Sequence, residues 1–180
     1  MIVEQQYTHN NQLKTIGIRA VFLFFVWKLL QFTIMKEDGA IDTAITESIV
    51  YMSSFFINLF GGEAYHTSST LYINGIKSVF VGSPCNGLVI MVIFSSFVAI
   101  TPGRLSTKIV YILVGLVIIY LSNTLRVILL GYNYIQDMET FNFNHKYTYV
   151  IIVYSIVFAL WMLWIEKFSL MKDIFNTNDQ

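Results

Sequence analysis

Charge is scarce in this chain. Asp, Glu, Lys and Arg make up 12% of its 180 residues, against roughly 25% in an average soluble domain, and 56% of its residues are hydrophobic. A compact soluble fold could hide one apolar core of that composition, but not several runs approaching the ~20 residues that cross a bilayer. The 11 basic and 11 acidic residues cancel, which excludes a basic face for nucleic acid and an acidic tail for a basic partner. There is one cysteine, Cys85, so no intramolecular disulfide forms, and the thiol is either an inert small hydrophobe or a reactive group. His9, His66 and His145 lie far apart without paired ligand spacing, so no metal is expected. No glycine-rich phosphate loop or nucleotide fingerprint is present, so no cofactor is expected either. The chain has no internal repeat and few polar groups within its apolar runs, which argues against a transporter.

What is abundant is long apolar sequence. Residues 16–35 form a first spanning candidate; Lys14 and Arg19 lie at its start as in a signal peptide, but no small-residue cleavage site follows, so it reads as a retained helix. Residues 42–60 place Ile45, Ile49, Met52, Phe56 and Leu59 on one helical face, with Glu47, Ser48, Ser54 and Asn58 elsewhere, the pattern of a helix lying in the membrane interface. Residues 61–83 are polar, and within them Asn74-Gly75 separates two apolar segments and predicts a type I′ hairpin. Ser83-Pro84 offers a cap and a first-turn proline for a helix over 83–101, which Pro102-Gly103 stops. Residues 107–130 form another span, 131–144 a polar loop, and 145–165 the last span, with Trp161 and Trp164 placed as an interfacial belt.

The expected fold is thus an all-α polytopic membrane protein with about four transmembrane helices, one amphipathic interfacial helix and a short β-hairpin on the outer face. Lys14, Arg19, Arg104, Lys108, Lys167 and Lys172 flank one side, and Lys36, Lys77 and Lys146 the other. That bias puts both termini in the cytoplasm. It implies a cytoplasmic leader over 1–15 and a cytoplasmic tail over 166–180 in a single membrane domain over 1–180.

Three residues carry the chemistry. Cys85 falls in the first turn of the helix expected at 83–101, where free N–H groups and the helix dipole favour an anion. Arg126 lies in the apolar run Leu125-Arg126-Val127-Ile128-Leu129-Leu130, where a charge is costly unless it is paired or functional. His145 opens the last expected span. In the four-span topology all three approach the outer surface, with Arg126 about four residues below its helix end, and Ser122 and Asn123 lie on the same helical face to orient its guanidinium. The plainer alternatives are a packing cysteine, an Arg126 paired with backbone carbonyls or with Asp137 or Glu139, His145 as an interfacial cap with His66 as a rival base, and a Lys28 that snorkels to an interface or neutralises Glu47 in an ion pair beside the active site.

The segments Pro84-Cys85-Asn86-Gly87, Asn123-Thr124-Leu125-Arg126 and Asn144-His145 resemble the core motifs of the exosortase and archaeosortase family of membrane transpeptidases: a Cys followed shortly by Gly, an Asn-x-x-Arg, and a downstream His. The resemblance covers about 82–165, the expected catalytic core, and the short chain is most similar to the exosortase F branch. Two positions depart from the pattern: Asn86 stands where a small residue is common, and no Gly follows His145. The resemblance implies Cys85 as nucleophile, His145 as proton donor, Arg126 as oxyanion or substrate holder, and Asn86, Gly87, Ser122 and Asn123 as supporting residues. It also implies a multi-pass protein of the cytoplasmic membrane whose active site faces outward. The expected partners are the C-terminal sorting segment of a secreted protein, an acceptor nucleophile and membrane lipid, and no nucleic acid. The rival from another class is a non-catalytic assembly partner that pairs Arg126 with a client helix.

Overall fold

A computed structural model of the chain describes residues 39–169. The first expected span with Lys28, the leader over 1–15 and most of the tail over 166–180 lie outside the described residues. Helix α1, Ala40–Leu59, follows an extended Gly39 and carries Asp42 in its first turn. Three short strands follow: β1 Ala64–Thr67, β2 Thr70–Ile73 and β3 Ile76–Phe80. After a 3-10 turn at Ser83–Cys85 come α2 (Leu88–Ile100), α3 (Leu105–Gln136), α4 (Met138–Phe143), a π-helical turn at Asn144–Thr148, and α5 (Tyr149–Lys167).

The strands form one antiparallel sheet in the order β1-β2-β3. The predicted hairpin is present: Asn74 and Gly75 both take positive φ, 53° and 76°, as a type I′ turn requires. The partner strand β1 is an addition to the expected hairpin, and Asn58 at the end of α1 pins it by donating to the Ala64 carbonyl and accepting from the Ala64 amide, each at 2.8 Å. Leu71, Ile73, Val79 and Val81 pack the sheet onto Ile49, Val50 and Ile57 of α1 and Val127 and Leu130 of α3. Gly131 permits that closeness, since a Cβ there would lie 2.7 Å from the Ile73 side chain.

Helix α1 turns an unexpected face inward. Asp42, Thr46, Ser53, Ile49, Val50 and Ile57 are buried, whereas Tyr51, Phe55 and Leu59 are exposed. The apolar stripe read from the sequence is therefore only part of the packing face: Ile49 is buried and Ile45 packs on the same cluster, whereas Leu59 is exposed. Polar side chains share the inward face with Ile49, Val50 and Ile57 because partners wait there, while Tyr51, Phe55 and Leu59 point outward. Helix α3 shows the same inversion, with Val110, Leu113, Val117, Leu121 and Leu125 exposed along one side. A continuous apolar stripe of that kind suits lipid, not water.

Among the described residues, two helical runs are long and apolar enough to cross a membrane, Leu105–Gln136 and Met138–Lys167. The structure differs from the sequence reading at two boundaries and in the placement of one tryptophan. The helix expected over 83–101 is broken after its first turn, because Gly87 adopts a left-handed φ of 76° and α2 begins only at Leu88; its 13 residues span ~20 Å, short of a ~30 Å hydrocarbon core. The polar loop expected over 131–144 is almost entirely helical. Helix α3 continues to Gln136, and Asp137 at once caps α4 by accepting from the Glu139 and Thr140 amides. Trp164, expected at an interface, is fully buried and donates from Nε1 to Thr101 Oγ1, while Trp161 packs on Phe97 with ring centroids 4.8 Å apart.

Candidate active site

Cys85 sits at the end of the 3-10 turn, its amide donating to the Gly82 carbonyl at 2.8 Å. It is thus not in the first turn of an α-helix, and the expected dipole argument for its sulfur does not apply. The turn is held from two sides instead. From α1, Asp42 accepts from Ser83 Oγ and from Asn86 Nδ2, both at 2.5 Å, and Thr46 accepts from Asn86 Nδ2 at 3.1 Å. From α3, Asn123 Nδ2 donates to the Cys85 carbonyl at 3.0 Å. Gly87 ends the turn: a side chain there would be strained at its φ of 76°, and a Cβ would come into van der Waals contact with the Asn123 amide at 3.4 Å.

Two groups meet the sulfur. Arg126 Nη2 donates toward Sγ at 3.7 Å, and His145 Nε2 lies 3.6 Å from Sγ. His145 is carried by the π-helical turn, not by a helix N-terminus, and Phe141 stacks on its ring with centroids 5.7 Å apart and planes 9° from parallel. One-turn π-helical widenings concentrate at functional sites because they re-aim a side chain without ending the helix. The three residues border a cavity of about 340 Å³, walled by β3 on one side and by Tyr134 and Phe141 on the other.

The alternatives fare less well. Asp137 is occupied as a cap: the Thr140 hydroxyl, then the Thr140 and Glu139 amides, hold its carboxyl below the ordinary range. No ion pair to Arg126 occurs among the described residues, and its buried Nε has no partner there. His66 is held on β1 by Ser54, 3.1 Å from Nδ1, with Tyr51 edge-on to its ring, and does not border the Cys85 cavity. Lys28 lies outside the described residues, so its pairing with Glu47 does too. Of the supporting residues, Asn86, Gly87 and Asn123 act on the Cys85 turn. Neither Ser122 nor Asn123 orients Arg126, however. Ser122 Oγ bonds back to the Ile118 carbonyl at 2.7 Å, the usual recourse of a mid-helix serine, and Asn123 is taken by Cys85.

Sequence reasoning missed Asp42. The signal that could have found it is the polar stripe Asp42, Thr46 and Ser53 at helical spacing in an otherwise apolar chain.

A thiol, a guanidinium and an imidazole converging on one cleft of an apolar helical chain define a membrane thiol site. The family model described as transmembrane exosortase (Exosortase_EpsH) matches residues 9–165, and the chain belongs to that family. Membership implies a membrane transpeptidase that acts on sorting signals. No curated protein and no solved structure matches the chain.

Proposed function

We propose that this chain is an exosortase of the F branch, which cleaves the C-terminal sorting tail of secreted proteins through a Cys85 thioacyl-enzyme and passes the acyl group to an acceptor. The convergence of Cys85, Arg126 and His145 on one cavity is the observation that carries the reading. The Cys85 thiolate attacks the scissile carbonyl, a C–S bond forms, and Arg126 donates hydrogen bonds to the developing oxyanion. His145 gives a proton to the departing amine as the C–N bond breaks. The acceptor's nucleophilic atom then attacks the thioester, loses its proton to His145, and frees Cys85. In this reading the protein is a single membrane domain over 1–180 with four membrane-embedded helices, of which α2 is too short to cross the hydrocarbon core by itself, with 82–165 as its catalytic core, 1–15 and 166–180 in the cytoplasm, α1 at the interface, and the cavity open to the non-cytoplasmic side.

The test is cleavage of a sorting-tail substrate in membranes, with a chemical trap for the thioester. Wild type should yield a trapped adduct on Cys85, and Cys85→Ala should cleave nothing at matched abundance. Full processing by Cys85→Ala would end the enzyme reading and favour an assembly partner that uses Arg126 alone.

A further inference from the structure

Asp42 lies on a helix that contributes nothing to the cavity wall, yet it is buried and both its carboxyl oxygens are committed to the segment that carries Cys85. Ser83, two residues before the cysteine, donates to Oδ2, and Asn86, one residue after it, donates to Oδ1. Asn86 is fully buried, and its remaining bonds hold the same segment. Its Nδ2 also reaches Thr46 Oγ1, and its Oδ1 accepts the Leu88 amide at 3.0 Å, which starts α2. We propose that Asp42 is the positioning residue of the nucleophile, clamping Ser83 and Asn86 so that the turn between them presents Cys85 Sγ to Arg126 and His145.

Three observations converge on this role. A buried carboxyl group is costly unless hydrogen-bonded, and here both partners flank one residue. The Cys85 turn is short and irregular, so regular helical bonding does not fix it, and beyond the Cys85 amide its restraints come from side chains on α1 and α3. Finally, Asn86 is itself fully buried, and its side chain is the half of the clamp that answers Asp42. The clamp and the Asn123–Cys85 bond approach the turn from opposite sides. Losing either lets the sulfur move relative to two groups that already sit at the long end of hydrogen-bonding distance from it.

The proposal rests on Cys85 being the nucleophile, and its test separates the two ideas. In the full chain in membranes, Cys85 is the only thiol, so its alkylation by N-ethylmaleimide reports its surroundings whether or not a peptide is cleaved. Asp42→Asn turns an amide N–H₂ toward that of Asn86 or withdraws the acceptor from Ser83. It should lower kcat for tail cleavage about tenfold or more, leave KM within about threefold, and shift the pH profile of Cys85 alkylation. The exchange Asp42→Asn with Asn86→Asp restores a donor opposite an acceptor. It should return both kcat and the alkylation profile to within about threefold of wild type, a rescue that general destabilisation would not produce. Ser83→Ala removes one of the two bonds and should change both in the same direction by less, so the idea remains exposed if the exchange variant fails to accumulate. Wild-type kcat and alkylation in Asp42→Asn, or an exchange variant no better than the worse single one, overturns the clamp. If Cys85→Ala still cleaves, the enzyme reading falls, while the alkylation profiles still decide whether Asp42 sets the sulfur's environment.

Discussion

The two ends of α3 are packed by different means. At the end that carries the site, an aliphatic cluster of Ile49, Val50, Leu71, Ile73, Val79 and Val127 joins a sheet to two helices, and polar side chains link one element to the next at almost every turn. At the other end Phe94, Val98, Ile119, Val157, Leu160 and Trp164 make a helix-only cluster thick with aromatic rings, and Tyr111 packs on Trp164 and Phe168 with centroids 5.1 and 5.3 Å away. Its inter-helix polar links include Trp164 to Thr101 and Tyr111 to the Leu160 carbonyl. Lipid is as apolar as these side chains, so area buried in either cluster gains less than it would in water, and close packing and hydrogen bonds hold the helices together. The contrast gives each end its own role. The aromatic end holds the helices in register, and the polar end holds the turn of the proposed nucleophile in place.

The sharpest way to break that division is to remove the largest buried side chain of the aromatic end. Trp164→Ala should cost about 3–5 kcal/mol of stability, read as a large fall in melting temperature in detergent, while the fraction that remains folded keeps its Cys85 alkylation profile. Loss of the alkylation profile with little change in melting would reverse the roles of the two ends. At the polar end, Arg126→Lys keeps a positive charge but replaces a planar fork of donors with a compact ammonium. It should accumulate and melt like wild type yet cleave about 10² to 10³ more slowly, the usual loss when a directed oxyanion donor goes. An assembly partner that needs only charge would tolerate it.

Gly115 and Gly87 offer a matched and smaller pair. A Cβ at Gly115 would overlap the fully buried Phe94 ring, so Gly115→Ala should cost about 1–3 kcal/mol with unchanged cleavage by the folded fraction. Gly87→Ala meets a left-handed φ and the Asn123 amide. It should cost about 1–2 kcal/mol and slow cleavage as well, because relief of the strained φ shifts the Cys85 turn relative to Asn123, the side chain that holds the Cys85 carbonyl. Equal effects of the two alanines on cleavage would erase the comparison.

The parts of this architecture that local chemistry dictates are legible in the sequence. Asn74-Gly75 specifies its turn wherever it falls between apolar segments, and an arginine inside an apolar run announces a role. Helix ends are less legible, because the polar residues at 131–144 read as loop although Asp137 capping and lateral packing keep them helical. Two of those misreadings offset each other. Arg126 lies ten residues before the end of α3 at Gln136, or ~15 Å, and His145 lies eight residues after the Asp137 cap, or ~12 Å, so the antiparallel helices still bring them to one depth. Asp42 stays hidden because an acidic residue in a first helical turn is ordinarily solvated there, and only the fold reveals that its partners sit 41 and 44 residues away.

The gentlest test concerns Asp137, which fixes where the helical run bearing His145 begins. It is exposed, and its carboxyl is held below the ordinary range chiefly by the Thr140 hydroxyl and then by the Thr140 and Glu139 amides. A depressed folded value means that the cap's contribution is fully present above the ordinary aspartate value of about 3.9 and disappears as pH falls through the folded one. Asparagine caps nearly as well as aspartate without titrating. Asp137→Asn should therefore melt close to wild type at neutral pH and lose less on acidification below about pH 4, with the two curves drawing together or crossing there. Asp137→Ala should melt below both at neutral pH and, like Asp137→Asn, show no acid-dependent change from this site. If the polar end is held by such links, the alanine variant should also loosen Cys85, seen as faster alkylation at neutral pH, since His145 is eight residues along the run that the cap begins. Unchanged alkylation in Asp137→Ala would mean that packing of Phe141 and Tyr149 sets the position of His145 without the cap.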